Sequence, residues 1–285
     1  MSGYAEARTS QMAAPKRITL QVVMTIVALV FLLPVLTVLN YSFKTKRELY
    51  VGNPLSLPQA PSLDNYRTAI ERVDLGRTFV NTLVYTGVSV VFLAFLSGAA
   101  AWAIARNRTV FFKFAYVYFI VGILIPYQAL FLPIYIVGYS LRLTNTVPGV
   151  ILMYVATGLS FGVFLMTSFM STVPVELEEA ARIDGCSVYR TYLSVVMPLL
   201  TPAVATLIIM QSFLIWNDYL MASLFVSAGS LKTLTLMLQN LFSQQTSDYT
   251  SAMAAIVLSV VPVAVLFISL QKYFIKGMTV GALKG

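Results

Sequence analysis

Histidine is missing from all 285 residues, and cysteine occurs once, at Cys186. The first absence excludes imidazole acid/base chemistry, Ser-His-Asp triads and histidine metal sites. The second excludes an intrachain disulfide and a thiolate metal cluster. Charge is also scarce. Only 11% of residues are Asp, Glu, Lys or Arg, whereas soluble domains carry about 25%. No G-x-x-x-x-G-K-[ST] phosphate loop occurs, and too little chain lies between apolar runs to build a nucleotide-binding domain. The chain is therefore not expected to be an enzyme, and it carries no cofactor, metal or catalytic set of its own.

What the sequence has in abundance is apolar surface. The AVILMFWYC residues make up 58% of the chain, and the mean hydropathy is +0.81. Six runs stand out, at about 18–40, 79–104, 114–137, 150–170, 203–226 and 252–270. At 1.5 Å per helical residue each is long enough to cross a hydrocarbon core of about 30 Å with some tilt. The expected fold is all-α, a polytopic membrane protein with six transmembrane helices. It divides into an amino-terminal segment 1–17, a membrane domain 18–270 and a tail 271–285. The first run follows Arg8, Lys16 and Arg17 in the manner of a signal peptide, but no small-residue cleavage site closes it, so it is read as a retained span. The net charge of +8 is spread among the apolar runs, which marks membrane-flanking charge rather than a nucleic-acid surface. Eleven of the 19 Lys and Arg fall on the side of the two termini, a bias that favours both termini in the cytoplasm.

The segment 171–201, between the fourth and fifth runs, carries the densest pattern. It contains Pro174-Val-Glu-Leu-Glu-Glu-Ala-Ala-Arg-Ile-Asp-Gly185. Proline at a first turn costs no hydrogen bond, the three glutamates lie at the positive end of the helix dipole, and glycine takes the left-handed stop. These features predict a helix of about eleven residues, with Glu178 and Arg182 paired at i,i+4 and with Leu177, Ala180, Ala181 and Asp184 along one side. A second amphipathic helix follows over Val188–Leu199, brought to the foot of the fifth run by Pro198 and Pro202. Such a pair either packs under its own bundle or docks a soluble partner. Its four acids disfavour adsorption to anionic lipid.

The residues Glu179-Ala180-Ala181, then Gly185, Val195, Met197 and Pro198, resemble the signature loop of the membrane subunits of binding-protein-dependent ABC importers. With Trp216-Asn217-Asp218 and the tail Phe274–Gly285, the chain from about Asn65 onward looks like a carbohydrate-uptake permease, the second membrane subunit of maltose-type systems. The resemblance implies a cytoplasmic coupling helix that enters a groove on an ATPase subunit. Glu179, Ala180, Ala181, Asp184 and Gly185 fall on its coupling positions. It further implies a homologous second permease, two cytoplasmic subunits that use ATP and Mg, an external solute-binding protein, a carbohydrate substrate, and residence in a bacterial or archaeal plasma membrane with both termini cytoplasmic. The segment Lys276–Gly285 would be a secondary contact with the ATPase subunits.

Within the fifth run, Gln211 and Asp218 lie seven residues apart, near one helical face, with Asn217 beside them. An ionised Asp facing lipid costs about 3 kcal/mol, so Asp218 is expected to face a wet pathway or to cap neighbouring backbone as a structural polar site. Pro126 and Pro133 are expected to kink the third run. A secondary active transporter is the alternative function, but no inverted repeat is visible and a self-sufficient carrier has no use for the loop 171–201.

Overall fold

The computed structural model describes residues 14–53, 56–243 and 248–282. Among them every regular element is helical. In chain order we number them α1 (Ala14–Phe43), α2 (Lys46–Val51), α3 (Asp64–Arg72), α4 (Leu75–Arg106), α5 (Val110–Leu124), α6 (Phe131–Ser140), α7 (Val147–Met170), α8 (Glu176–Ile183), α9 (Val188–Leu199), α10 (Thr201–Asn217), α11 (Leu220–Phe225), α12 (Leu234–Ser243) and α13 (Tyr249–Ala282). Residues 1–13 and 283–285, with Arg8 and Lys284, lie outside the described residues, as do the side chains of Lys272 and Lys276.

Among the described residues four helices are long and apolar enough to cross a membrane unbroken, namely Lys16–Phe43, Leu75–Arg106, Val147–Met170 and Tyr249–Ser269. The third and fifth runs depart from the expected continuous spans. The third is bent by 101° between Val110–Leu124 and Tyr127–Ser140, and the fifth, 203–226, is interrupted after Asn217 and restarts at Leu220, while its leading helix Thr201–Asn217 meets the loop helix Val188–Leu199 at 76°. Six spans result only when each bent pair counts as one.

Proline explains the first break. A ring at Pro126 removes an N–H and forces the preceding residue out of the helical region, and Ile125 accordingly has ψ 122°. Pro133, by contrast, sits in the first turn of α6, where its missing N–H has no intrahelical partner to lose. It produces no break, so only one of the two expected kinks forms. The helix α13 continues from the sixth run to Ala282, through most of the tail.

The described residues fall into two compact units. One comprises the chain up to Val73 together with Asn240–Val261. In it Asn65 donates its amide to the carbonyls of Ser42 (2.9 Å) and Lys44 (2.8 Å), and Asp248 holds both Lys46 and Arg72 at 3.1 Å. The other comprises Asp74–Gln239 and Pro262 onward. Its centre is the α4–α7 pair, which small residues bring close. A Cβ on Gly162 would lie 2.8 Å from Ser97 Cβ, and one on Gly158 would lie 2.8 Å from Leu93 Cδ1. Around this seam Tyr85, Leu93, Met166, Met170, Val196, Leu200 and Leu207 are buried.

Candidate functional site

The segment between α7 and α10 forms the first candidate site. Its leading helix, α8, is eight residues rather than about eleven, because Pro174 and Val175 stand before the first helical turn. Gly185 follows with φ +80°, the left-handed stop the sequence predicts. Of the five coupling candidates, Glu179, Ala180, Asp184 and Gly185 are exposed, whereas Ala181 is buried against the protein's own core. Exposed apolar side chains continue the accessible face, with Ile183 at 86% and Tyr189 at 83% exposure.

Beneath that face lies a contact that sequence reasoning missed. Glu178 does not pair with Arg182. It is buried and accepts hydrogen bonds from Arg106 Nε (2.9 Å) and Trp102 Nε1 (2.8 Å), while Arg106 Nη2 also donates to the Val173 carbonyl (2.9 Å). Trp102 stacks on Tyr192 of α9 at 5.7 Å and 15°, and Tyr192 Oη donates to the Phe95 carbonyl (2.6 Å) over Gly98, where a Cβ would collide with that hydroxyl. Both loop helices are thereby fastened to the end of α4. The available signal was Trp102 and Arg106 at i,i+4, where the second run gives way to its basic flank at the end of α4. Their partner lies more than 70 residues away, so local spacing could not supply it.

The second candidate site is a cavity of about 370 Å3 bounded by α5, the Pro126 break, α7 and α10. Its polar lining is Tyr127, Tyr154, Thr157, Ser160, Gln211 and Asp218. Asp218 ends α10 with ψ 128° and begins the turn into α11, so the fifth run is interrupted where its acid stands. The carboxylate accepts hydrogen bonds from Tyr154 Oη (2.9 Å), the Ala222 N–H (2.9 Å) and, more weakly, the Met221 N–H (3.4 Å). It therefore caps the α10–α11 break and lines the cavity at the same time. Gln211 joins it there, but Asn217 does not. Asn217 is exposed and its amide returns to the Phe213 carbonyl at 2.8 Å. A larger hollow of about 630 Å3 runs along α1, but its lining is almost wholly apolar. Among the described residues no cluster of Cys, Asp and Glu could hold a metal ion.

Residues 91–280 match the family described as the binding-protein-dependent transport system inner membrane component. The chain belongs to that family. Among its relatives is the melibiose/raffinose/stachyose import permease protein MelC of Bacillus subtilis, 35% identical across 91% of this chain and 94% of that one. Another is the multiple sugar-binding transport system permease protein MsmG of Streptococcus mutans, 31% identical across 92% and 95%. In fold, the permease is similar to a chain of a bacterial ABC transporter involved in the import of the acidic polysaccharide alginate. The TM-score is 0.83 over 92% of this chain and 99% of that one, at 22% identity. The permease is thus a multi-pass membrane component of a transport system that works with a binding protein. It is not the ATP-hydrolysing subunit, and the secondary-carrier alternative is set aside.

Proposed function

We propose that this permease is one membrane half of an ATP-driven carbohydrate importer, and that α8 and α9 transmit ATPase movements to the transport path. The observation that carries the coupling reading is the combination of an exposed face, Glu179, Ala180, Asp184 and Gly185, with a buried anchor, Glu178 on Arg106 and Trp102. A face free to dock transmits force only if its other side is fixed, and the anchor fixes it to the end of the long α4. Two cytoplasmic ATP-binding subunits using ATP and Mg, a homologous second permease and an extracytoplasmic solute-binding protein complete the assembly. Ala181 acts from within by letting α8 seat closely, and the tail from Lys276 adds a secondary contact with the ATPase subunits. The loop and both termini lie in the cytoplasm. Carbohydrate as the cargo is supported by the sugar-import roles named for relatives such as MelC and MsmG.

Purification of the permease from its native membrane, followed by reconstitution, tests this reading. Copurifying ATP-binding and second permease subunits are expected, with sugar uptake that requires ATP on the loop side and loaded binding protein on the other. Uptake by the permease alone would overturn it.

A further inference from the structure

The turn between α4 and α5 is basic, and no acid of its own stretch of chain balances it. Between Asp74 and Glu176 the sequence contains neither Asp nor Glu. Arg106 is spent on Glu178 and the Val173 carbonyl, but Arg108 and Lys113 are exposed, and neither side chain has an ion pair or hydrogen bond among the described residues. Asn107 closes the turn by donating its amide to the Ala103 carbonyl at 2.7 Å. The contacts of Arg106 with the loop 171–201 put the turn on the loop side of the membrane.

Apolar side chains are interleaved with these two cations. Val110 is 83% exposed, Phe111 71% and Phe114 72%. A surface left in water rarely gathers apolar groups so fully open, and such a patch marks a contact. The continuation of the patch says which kind. At helical spacing the open face runs on from Val110 and Phe114 through Val117, Tyr118 and Val121, along the first half of the bent third span. A water-soluble subunit docked at the turn could cover Arg108, Lys113 and Phe111, but it could not follow that stripe into hydrocarbon. A second membrane subunit could follow it. With the loop in the cytoplasm, however, such a subunit brings basic flanks of its own to this side, where they meet Arg108 and Lys113 as like charges. A phospholipid satisfies both halves of the patch. Its phosphate lies at the depth to which Arg and Lys snorkel, and its acyl chains begin beside the aromatic side chains. Two cations without a counter-ion select an anionic headgroup over a zwitterionic one. The acids of α8 make that helix unsuited to the same role.

We propose that the α4–α5 turn binds an anionic phospholipid of the leaflet on the loop side, with Arg108 and Lys113 on the headgroup phosphate and Val110, Phe111 and Phe114 seated among the first acyl carbons. The choice of lipid over a second membrane subunit rests on the cytoplasmic placement of the loop 171–201, and the inference is independent of the cargo. Arg106, two residues before Arg108, holds the buried anchor of α8. The lipid therefore sits beside the joint that fastens the loop to α4.

The test uses the complete complex in nanodiscs of equal parts phosphatidylcholine and phosphatidylglycerol, with a photoreactive benzophenone amino acid in place of the exposed Val110. Illumination is expected to attach lipid to residue 110, with phosphatidylglycerol enriched about 25-fold over phosphatidylcholine in the adduct, from about five-fold for each cation near the surface. Arg108→Gln and Lys113→Gln should each lower the enrichment about five-fold, and the double variant should return the adduct to the bulk ratio at unchanged complex yield. The enrichment without these substitutions decides by itself if a glutamine variant assembles poorly. Attachment of residue 110 to an ATP-binding subunit or to the second permease instead of lipid overturns the inference, as does a lipid adduct in the bulk ratio. The placement of the loop fails separately, by reaction of Ser187→Cys, in a Cys186→Ser background, with an impermeant reagent from outside. The identity of the adduct upholds or overturns the lipid on whichever side the loop lies.

Discussion

Glu178 Oε1 lies 2.8 Å from Arg106 Nη2, joining the middle of a loop helix to the last turn of a transmembrane helix 72 residues earlier in the chain. The carboxylate side chain is 2% exposed and the guanidinium 17%. Removing one partner of such a pair leaves the other buried and uncompensated, which costs about 3 kcal/mol, whereas replacing both with apolar groups is often nearly neutral. Glu178→Ala is therefore expected to lower the thermal midpoint of the reconstituted complex and release ATPase subunits. Glu178→Leu with Arg106→Met is expected to recover most of the stability. Equal midpoints for wild type and Glu178→Ala would remove the anchor from the coupling argument.

Gly185 tests the exposed side of the same loop. No atom lies within 4 Å of a Cβ built there, so steric collision is not the issue, and φ +80° is. Gly185→Ala should cost about 1 kcal/mol, and Gly185→Asn less, because Asn tolerates the left-handed region. Gly185→Asp adds charge to the docking face and should lose more ATPase than Ala at matched membrane expression. Retention that follows only the Ala and Asn stability order, with Asp no worse, would show that the residue shapes the turn without touching the partner.

The membrane orientation has its own measurement. Cys186→Ser supplies a background in which Ser187→Cys should react with an impermeant thiol reagent from the cytoplasm and Gly229→Cys from outside. Both positions are exposed or nearly so, and Gly229 has open space around it. Reaction of both from one side would break the six-span count, in which the chain crosses once between the loop 171–201 and Gly229.

The legibility of the sequence follows from the range of the interactions involved. Helical spans, the Gly185 stop and the Pro126 break are local consequences of composition or of one ring, and they are readable from neighbouring residues. The α8–α4 anchor is not, because Glu178 sits in a run of acids that satisfies a helix dipole just as well as a distant arginine. Gln211 and Asp218 could be placed on one face from their spacing. Their separate duties could not, since the helix ends between Gln211 and Asp218, and the Asp218 partner Tyr154 comes from α7. Asn217, adjacent in sequence to Asp218, still belongs to α10, and helical periodicity turns it away from the Gln211 face, so that its amide returns to the Phe213 carbonyl.

Asp248 predicts a pH response for the other compact unit. Burial pushes its carboxyl up, but the hydrogen bond and charge of Lys46, with hydrogen bonds from Ser251, outweigh this and hold it below the ordinary carboxylate value. A depressed folded value contributes stability that is present above the unfolded value, near 3.9, and is lost as pH falls through the folded one. Between pH 7 and 5 this contribution should be constant. Asp248→Asn should loosen 46–72 by an amount independent of pH in that window, read as faster amide exchange in α2 and α3. A wild-type exchange rate that climbs to the mutant level by pH 5 would contradict the assigned sign.

Asp218 separates capping from transport by the atoms each substitution retains. In Asp218→Asn the amide oxygen can take the place of Oδ2 and still accept from Tyr154 Oη and the Ala222 N–H, losing only the long Met221 contact. Asp218→Leu leaves both strong donors unpaired in a half-buried site, at about 1–3 kcal/mol each. The asparagine variant should therefore assemble within about 1 kcal/mol of wild type, and the leucine variant should lose assembly. Adding Tyr154→Phe to the leucine variant removes one orphaned donor and should restore part of the yield, a rescue that only the capping role predicts. Where Asn assembles, its sugar-to-ATP ratio isolates the charge. A fall means the carboxylate acts on the transported ligand as well as on the α10–α11 break, and an unchanged ratio confines it to the break.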